Sequence, residues 1–161
     1  MKEDSKDKAL REHVLFLLDG GGAHAKFDEV IAGIPPKLLG QKPSGLPHSL
    51  WMLLEHLRIA QWDILDFSRN AKHASPKWPE GYWPPTEASP SASDWNASVK
   101  KFRQDLKAMQ DLVKHPKTDL FAKISWGDGQ TVLREALLLA DHNAYHLGQM
   151  LDARRLLGAW K

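Results

Sequence analysis

The sequence predicts an all-α helical bundle built as one domain. Three observations carry that reading. Four long segments repeat apolar residues at helical spacing, no stretch shows the strict alternation of a half-buried strand, and the prolines fall between the segments. A chain of 161 residues is within the usual range for one domain and can bury a core without covalent staples.

The first segment, residues 4–19, places Leu10, Val14, Leu17 and Leu18 at helical spacing, and Gly20, Gly21 and Gly22 stop it. Those glycines follow no strand and precede no Gly-Lys-Ser/Thr, so they read as a turn and not a phosphate loop. AHAKFDEVIAGIPP is a shorter helix halted by Pro35 and Pro36. The second long segment, residues 49–70, starts at Ser49 as N-cap and carries Leu50, Leu53, Leu54, Leu57, Ala60, Ile64 and Phe67 as an apolar stripe.

Residues 72–93 follow, KHASPKWPEGYWPPTEASPSAS, whose five prolines forbid helix and central strand. Disordered segments are poor in aromatics, whereas this one holds Trp78, Tyr82 and Trp83. It reads as an ordered loop, either a lid over a site or a cover for one end of the bundle.

The third long segment, residues 94–115, is expected to be capped by Ser93 and stopped by Pro116. Trp95, Val99, Phe102, Leu106, Met109 and Val113 line one face. In the connection over 119–130, Asp128-Gly129 marks a tight turn within a small hairpin. The last segment, residues 131–160, contains no proline and would span roughly 40 Å at ~1.5 Å per residue.

Composition narrows the function. With no cysteine there is no disulfide, zinc finger, Fe–S cluster or thiol nucleophile, which suits a reducing cytosol. The N-terminal stretch lacks the features of a secretory signal, and no run approaches the ~18–20 apolar residues of a membrane span. A cytoplasmic protein without a membrane partner is expected. Lys+Arg is 22 against Asp+Glu 20, mixed along the chain, so no basic stripe offers itself to nucleic acid. Seven tryptophans point to an aromatic core or an aromatic-lined pocket.

The chemistry concentrates in DHNAYHLGQM. His142 and His146 sit at i and i+4, on one helix face, with Cβ atoms ~6 Å apart, close enough for both rings to reach one ion. Two imidazoles make a poor site alone, and His56, in the second long segment, is the best third ligand. Three neutral imidazoles leave positions for water or substrate, a site of the catalytic type, and nitrogen ligands suit zinc, nickel, iron and copper alike. The competing reading is that the rings only fill core space. Asn143 follows the first histidine where a zincin needs Glu, and the paired Glu-x-x-His of di-iron bundles is absent.

The other histidines are weaker. His48 lies eight residues before His56, ~12 Å away along a helix, and reads as a helix-start residue. His24 reaches the site only if its loop folds over the bundle. His13, His73 and His115 have nothing to recommend them. Asp63 and Gln149 lie on roughly the same faces as His56 and His146 and are candidates to hold their second nitrogens. Glu55 and Asp141 point ~100° away from the ligand candidates and read as surface charges.

Residues 49–70 and 134–160, with WPEGYWPP and the GGGAH turn, resemble the DinB-like family of metal-binding bundles, over nearly the whole chain. The resemblance implies an up-down-down-up four-helix bundle. It also implies a divalent metal, often nickel or zinc, held by one histidine of the second helix and two of an HxxxH in the fourth; these match His56, His142 and His146. Some members are transferases or isomerases that use a low-molecular-weight thiol, others have been called hydrolases, and some are dimers. The expectation is therefore a metal-dependent enzyme, a thiol-dependent S-transferase or a hydrolase, acting on a small molecule, with homodimerisation open. No further catalytic residue carries over. The alternative is a non-catalytic bundle that binds a metal or small ligand, favoured by the missing general base.

Overall fold

The computed structural model describes residues 2–88 and 91–160. These form five α-helices: α1 (Lys2–Leu18), α2 (Phe27–Ile31), α3 (Leu50–Arg69), α4 (Ala92–Lys114) and α5 (Val132–Leu156). Two single 3-10 turns, Pro36–Leu38 and Glu80–Tyr82, lie in the connections, and no strand is present among the described residues. α3 packs on both α4 and α5, and α1 packs on the same two helices.

Caps fix the helix starts. The Ser49 hydroxyl accepts from the Met52 N–H, and Thr131 accepts likewise from Arg134, each meeting a backbone donor that the first turn leaves unpaired. At α4 the cap is Ser91, not Ser93, which lies inside the first turn. Ser91 accepts from the Asp94 N–H and donates to the Asp94 carboxylate, a reciprocal arrangement that Ser93 cannot make with that same acid. Residues 89 and 90 of the aromatic loop lie outside the described residues.

Apolar faces then set the packing. Leu50, Leu53, Leu54 and Leu57 of α3 meet Phe27, Phe102, Leu147 and Met150 in one cluster, where Phe27 and Phe102 stack at 4.0 Å. Ile64 and Leu65 of α3 meet Val14, Leu18, Met109, Ala136 and Leu139 in a second. Leu17, expected on the inner face of α1, is 45% exposed; Leu18 and Val14 take that role. The expected hairpin near Asp128-Gly129 reduces to a single antiparallel bridge between Lys123 and Thr131, with Gly129 at φ 111°.

Between the two clusters α3 carries buried polar side chains, His56 and Gln61, facing Asn143 and His146 of α5. Gln61 donates to the Phe102 carbonyl at 2.6 Å and accepts from the Asn143 amide at 3.0 Å. Burying an amide without partners costs ~1–3 kcal/mol, and this ladder offsets that cost across three helices.

Candidate metal centre

α3 supplies His56 and α5 supplies His142 and His146, and one ring nitrogen from each lies within 4.8 Å of the others. Nε2 of His56 stands 3.0 Å from Nε2 of His146 and 3.1 Å from Nε2 of His142. Two nitrogens bound to one ion at ~2.1 Å stand roughly 3.0–3.4 Å apart at angles near 90–109°, so the spacing fits a shared cation.

The second nitrogens decide the tautomers. His56 Nδ1 lies 3.0 Å from the Tyr82 carbonyl, which only accepts, so Nδ1 carries the proton and Nε2 a lone pair. His146 Nδ1 lies 2.7 Å from Oε1 of Gln149, the partner expected for it, and the same logic leaves its Nε2 bare. Two lone pairs therefore face each other at 3.0 Å with no proton between them. Such a contact is repulsive unless a cation lies between the nitrogens.

A proton is disfavoured in that position. Burial, with the neighbouring rings adding to it, lowers the His142 pKa to about 3. Burial lowers that of His146 to about 4, against the hydrogen bond that its Nδ1–H donates to Gln149. His56 is also lowered, chiefly by burial. The three rings are neutral near pH 7, the form that ligates.

Asp63 departs from its expected role. Its carboxylate takes the Tyr82 hydroxyl at 2.7 Å and His73 at 2.7 Å, while His56 uses the Tyr82 main chain. The side chain of His73, which offered no sequence signal, is buried between Asp63 and Asp66; His73 lies on a loop that folds back onto α3, which supplies both acids, a contact no spacing announces. His48 is not only a helix-start residue: its ring stacks on Trp83 at 4.0 Å, and Trp83 lies flat on His56 at 4.1 Å and 8°. His24, His13 and His115 are exposed and stand outside the cluster. Glu55, expected at the surface, is buried and paired with Arg58 at 2.7 Å; Asp141 is exposed. Of the loop aromatics, Tyr82 and Trp83 touch His56, whereas Trp78 is 71% exposed and leans on Tyr82.

Beside the cluster, Leu46, Pro47, His48, Leu53, Gln149 and Asp152 line a cavity of about 90 Å³. No helix among the described residues is long and apolar enough to cross a membrane. Comparison with curated proteins and with solved structures gives no match. The family model for the DinB superfamily matches residues 22–150, a span holding all three clustered histidines, α3, α4 and most of α5. The chain belongs to the DinB superfamily.

Proposed function

We propose that His56, His142 and His146 hold one divalent ion, nickel or zinc, in an up-down-down-up bundle, and that the protein is a metal-dependent enzyme acting on a small molecule. The observation that carries this reading is the 3.0 Å approach of the His56 and His146 Nε2 atoms, in rings whose Nδ1 atoms each face a carbonyl oxygen. An ion held by these three histidines would leave open positions, and the chemistry it would supply there is a lowered pKa for bound water or the holding of a low-molecular-weight thiol as thiolate. The chain's own part is orientation. Tyr82 and Gln149 fix which nitrogen each ring presents, and Trp83 fixes the plane of His56. The adjoining cavity, with apolar Leu46, Pro47 and Leu53 beside His48 and Gln149, has room for a group of a few heavy atoms.

Family membership favours thiol transfer over hydrolysis. The runner-up is a non-catalytic metal-binding bundle, favoured by the absence of any carboxylate bonded to the three rings among the described residues.

Elemental analysis after saturation with nickel or zinc tests the centre. One ion per chain is expected, and His56→Ala, His142→Ala and His146→Ala each reduce occupancy to a similar low level. Loss in one variant alone contradicts shared ligation. A screen of low-molecular-weight thiols against electrophiles, with esters and amides as hydrolytic substrates, then separates enzyme from binder; background rates throughout favour the binder.

A further inference from the structure

His73 sits where α3 gives way to the loop over 70–91, its side chain 3% exposed. Nε2 lies 2.7 Å from Oδ1 of Asp63 and Nδ1 lies 2.8 Å from Oδ2 of Asp66. Each ring nitrogen thus faces a carboxylate oxygen, and the ring is clamped at both of its polar atoms. The ring lies between two acids one turn apart on α3 and bonds to both. The bond from His73, with help from Asn70, holds the Asp66 carboxyl below the usual carboxylate range.

Asp63 spends its other oxygen on the Tyr82 hydroxyl, 2.7 Å away. Burial, reinforced by Asp63, pushes the Tyr82 phenol up to about 12, so it remains a donor. Tyr82 is then held at both ends: its hydroxyl on Asp63 and its carbonyl on Nδ1 of His56. The next residue, Trp83, covers the His56 ring. An unbroken line of contacts thus runs from the His73 ring through Asp63 and Tyr82 to a histidine of the metal centre.

We infer that His73 is a positioning residue for that centre: clamped by Asp63 and Asp66, it holds through Tyr82 the loop whose carbonyl and indole orient His56. The inference rests on the metal-binding reading above, but its geometric half stands without metal. A ligand histidine whose second nitrogen loses its partner typically forfeits ~10–100-fold in metal affinity.

The test uses the full chain, with zinc as probe. Zinc affinity is measured by chelator competition, and the His56 Nδ1–H is followed by nitrogen-resolved NMR in metal-free protein. Tyr82→Phe keeps the ring but cuts the line at its hydroxyl; His73→Ala cuts it at the clamped imidazole. Each is expected to weaken zinc binding about tenfold and to speed exchange of the His56 proton by about as much. The double variant should lose no more than the weaker single, because both act through one line. Arg11→Ala, which frees the end of α4 and removes no hydrogen bond to a described residue of the loop, should lower stability while leaving zinc affinity unchanged.

The inference is overturned if folded Tyr82→Phe keeps both zinc affinity and the slow His56 proton, if the two losses multiply, or if Arg11→Ala weakens zinc equally. Should His73→Ala fail to fold, Tyr82→Phe decides alone. If the unmodified protein takes up no zinc or nickel, the metal reading falls, and the His56 proton still decides the positioning role.

Discussion

At the residue scale the three histidines are held neutral by burial, and this sets a pH dependence. In the unfolded chain each titrates near ~6.5. In the fold His146 is lowered to about 4 and His142 to about 3, with His56 lowered as well. Below ~6.5 the unfolded chain gains protons that the native chain refuses, so stability is full above that pH and is lost as pH falls toward the folded values. Urea unfolding of chelator-treated protein should give a midpoint that drops between pH 7 and pH 5, and His142→Ala should flatten that slope. A midpoint level across the range in the unmodified chain contradicts the argument. These rings were legible because i and i+4 share a face whatever the fold, and because His56 lay beside a stripe bound for the core. His73 was not legible. Its meaning depends on a 3-10 turn at Glu80–Tyr82 bringing a phenol to Asp63, and neither periodicity nor a short motif encodes that approach.

At the scale of the element, the helix starts carry different weights. The Ser49 side chain caps α3 and its hydroxyl also donates to the Glu87 carbonyl, tying the start of α3 to the far end of the aromatic loop. Ser49 is fully buried, whereas Ser91 is exposed. Losing a serine cap costs ~0.5–2 kcal/mol, and Ser49→Ala also strands a loop carbonyl. Ser49→Ala should therefore cost about 2 kcal/mol and Ser91→Ala about 0.5–1 in urea unfolding. Equal costs would mean that the loop tie contributes nothing. Ser49 was readable since it directly precedes an apolar helix. Ser91 and Ser93 look alike in sequence, and the choice falls to Asp94, which can reciprocate only with the serine three residues before it.

At the scale of the whole molecule, the histidines bridge α3 and α5, whose ring contacts join positions 86 and 90 residues apart. An ion bound there, and not by the unfolded chain, stabilises by mass action, ~2.7 kcal/mol at a hundredfold excess over Kd. For a chain of this size that raises the melting temperature by roughly 5–10 °C. Calorimetry with nickel or zinc should record the rise and a chelator should abolish it; the triple alanine variant should be indifferent to both. The all-helical class and its four long helices were readable from apolar spacing and from where the prolines fall. The polar ladder of Gln61 and Asn143 was not, since amides inside a stripe gain meaning only when a facing helix supplies partners.

The indole of Trp83, laid flat on one imidazole and flanked by another, gives the molecule an optical gauge of its own centre. Electron withdrawal from the ring beneath it should quench part of the emission as nickel or zinc is titrated. Trp83→Phe should silence that response while keeping a stacked ring in position. The other six indoles then serve as an internal reference.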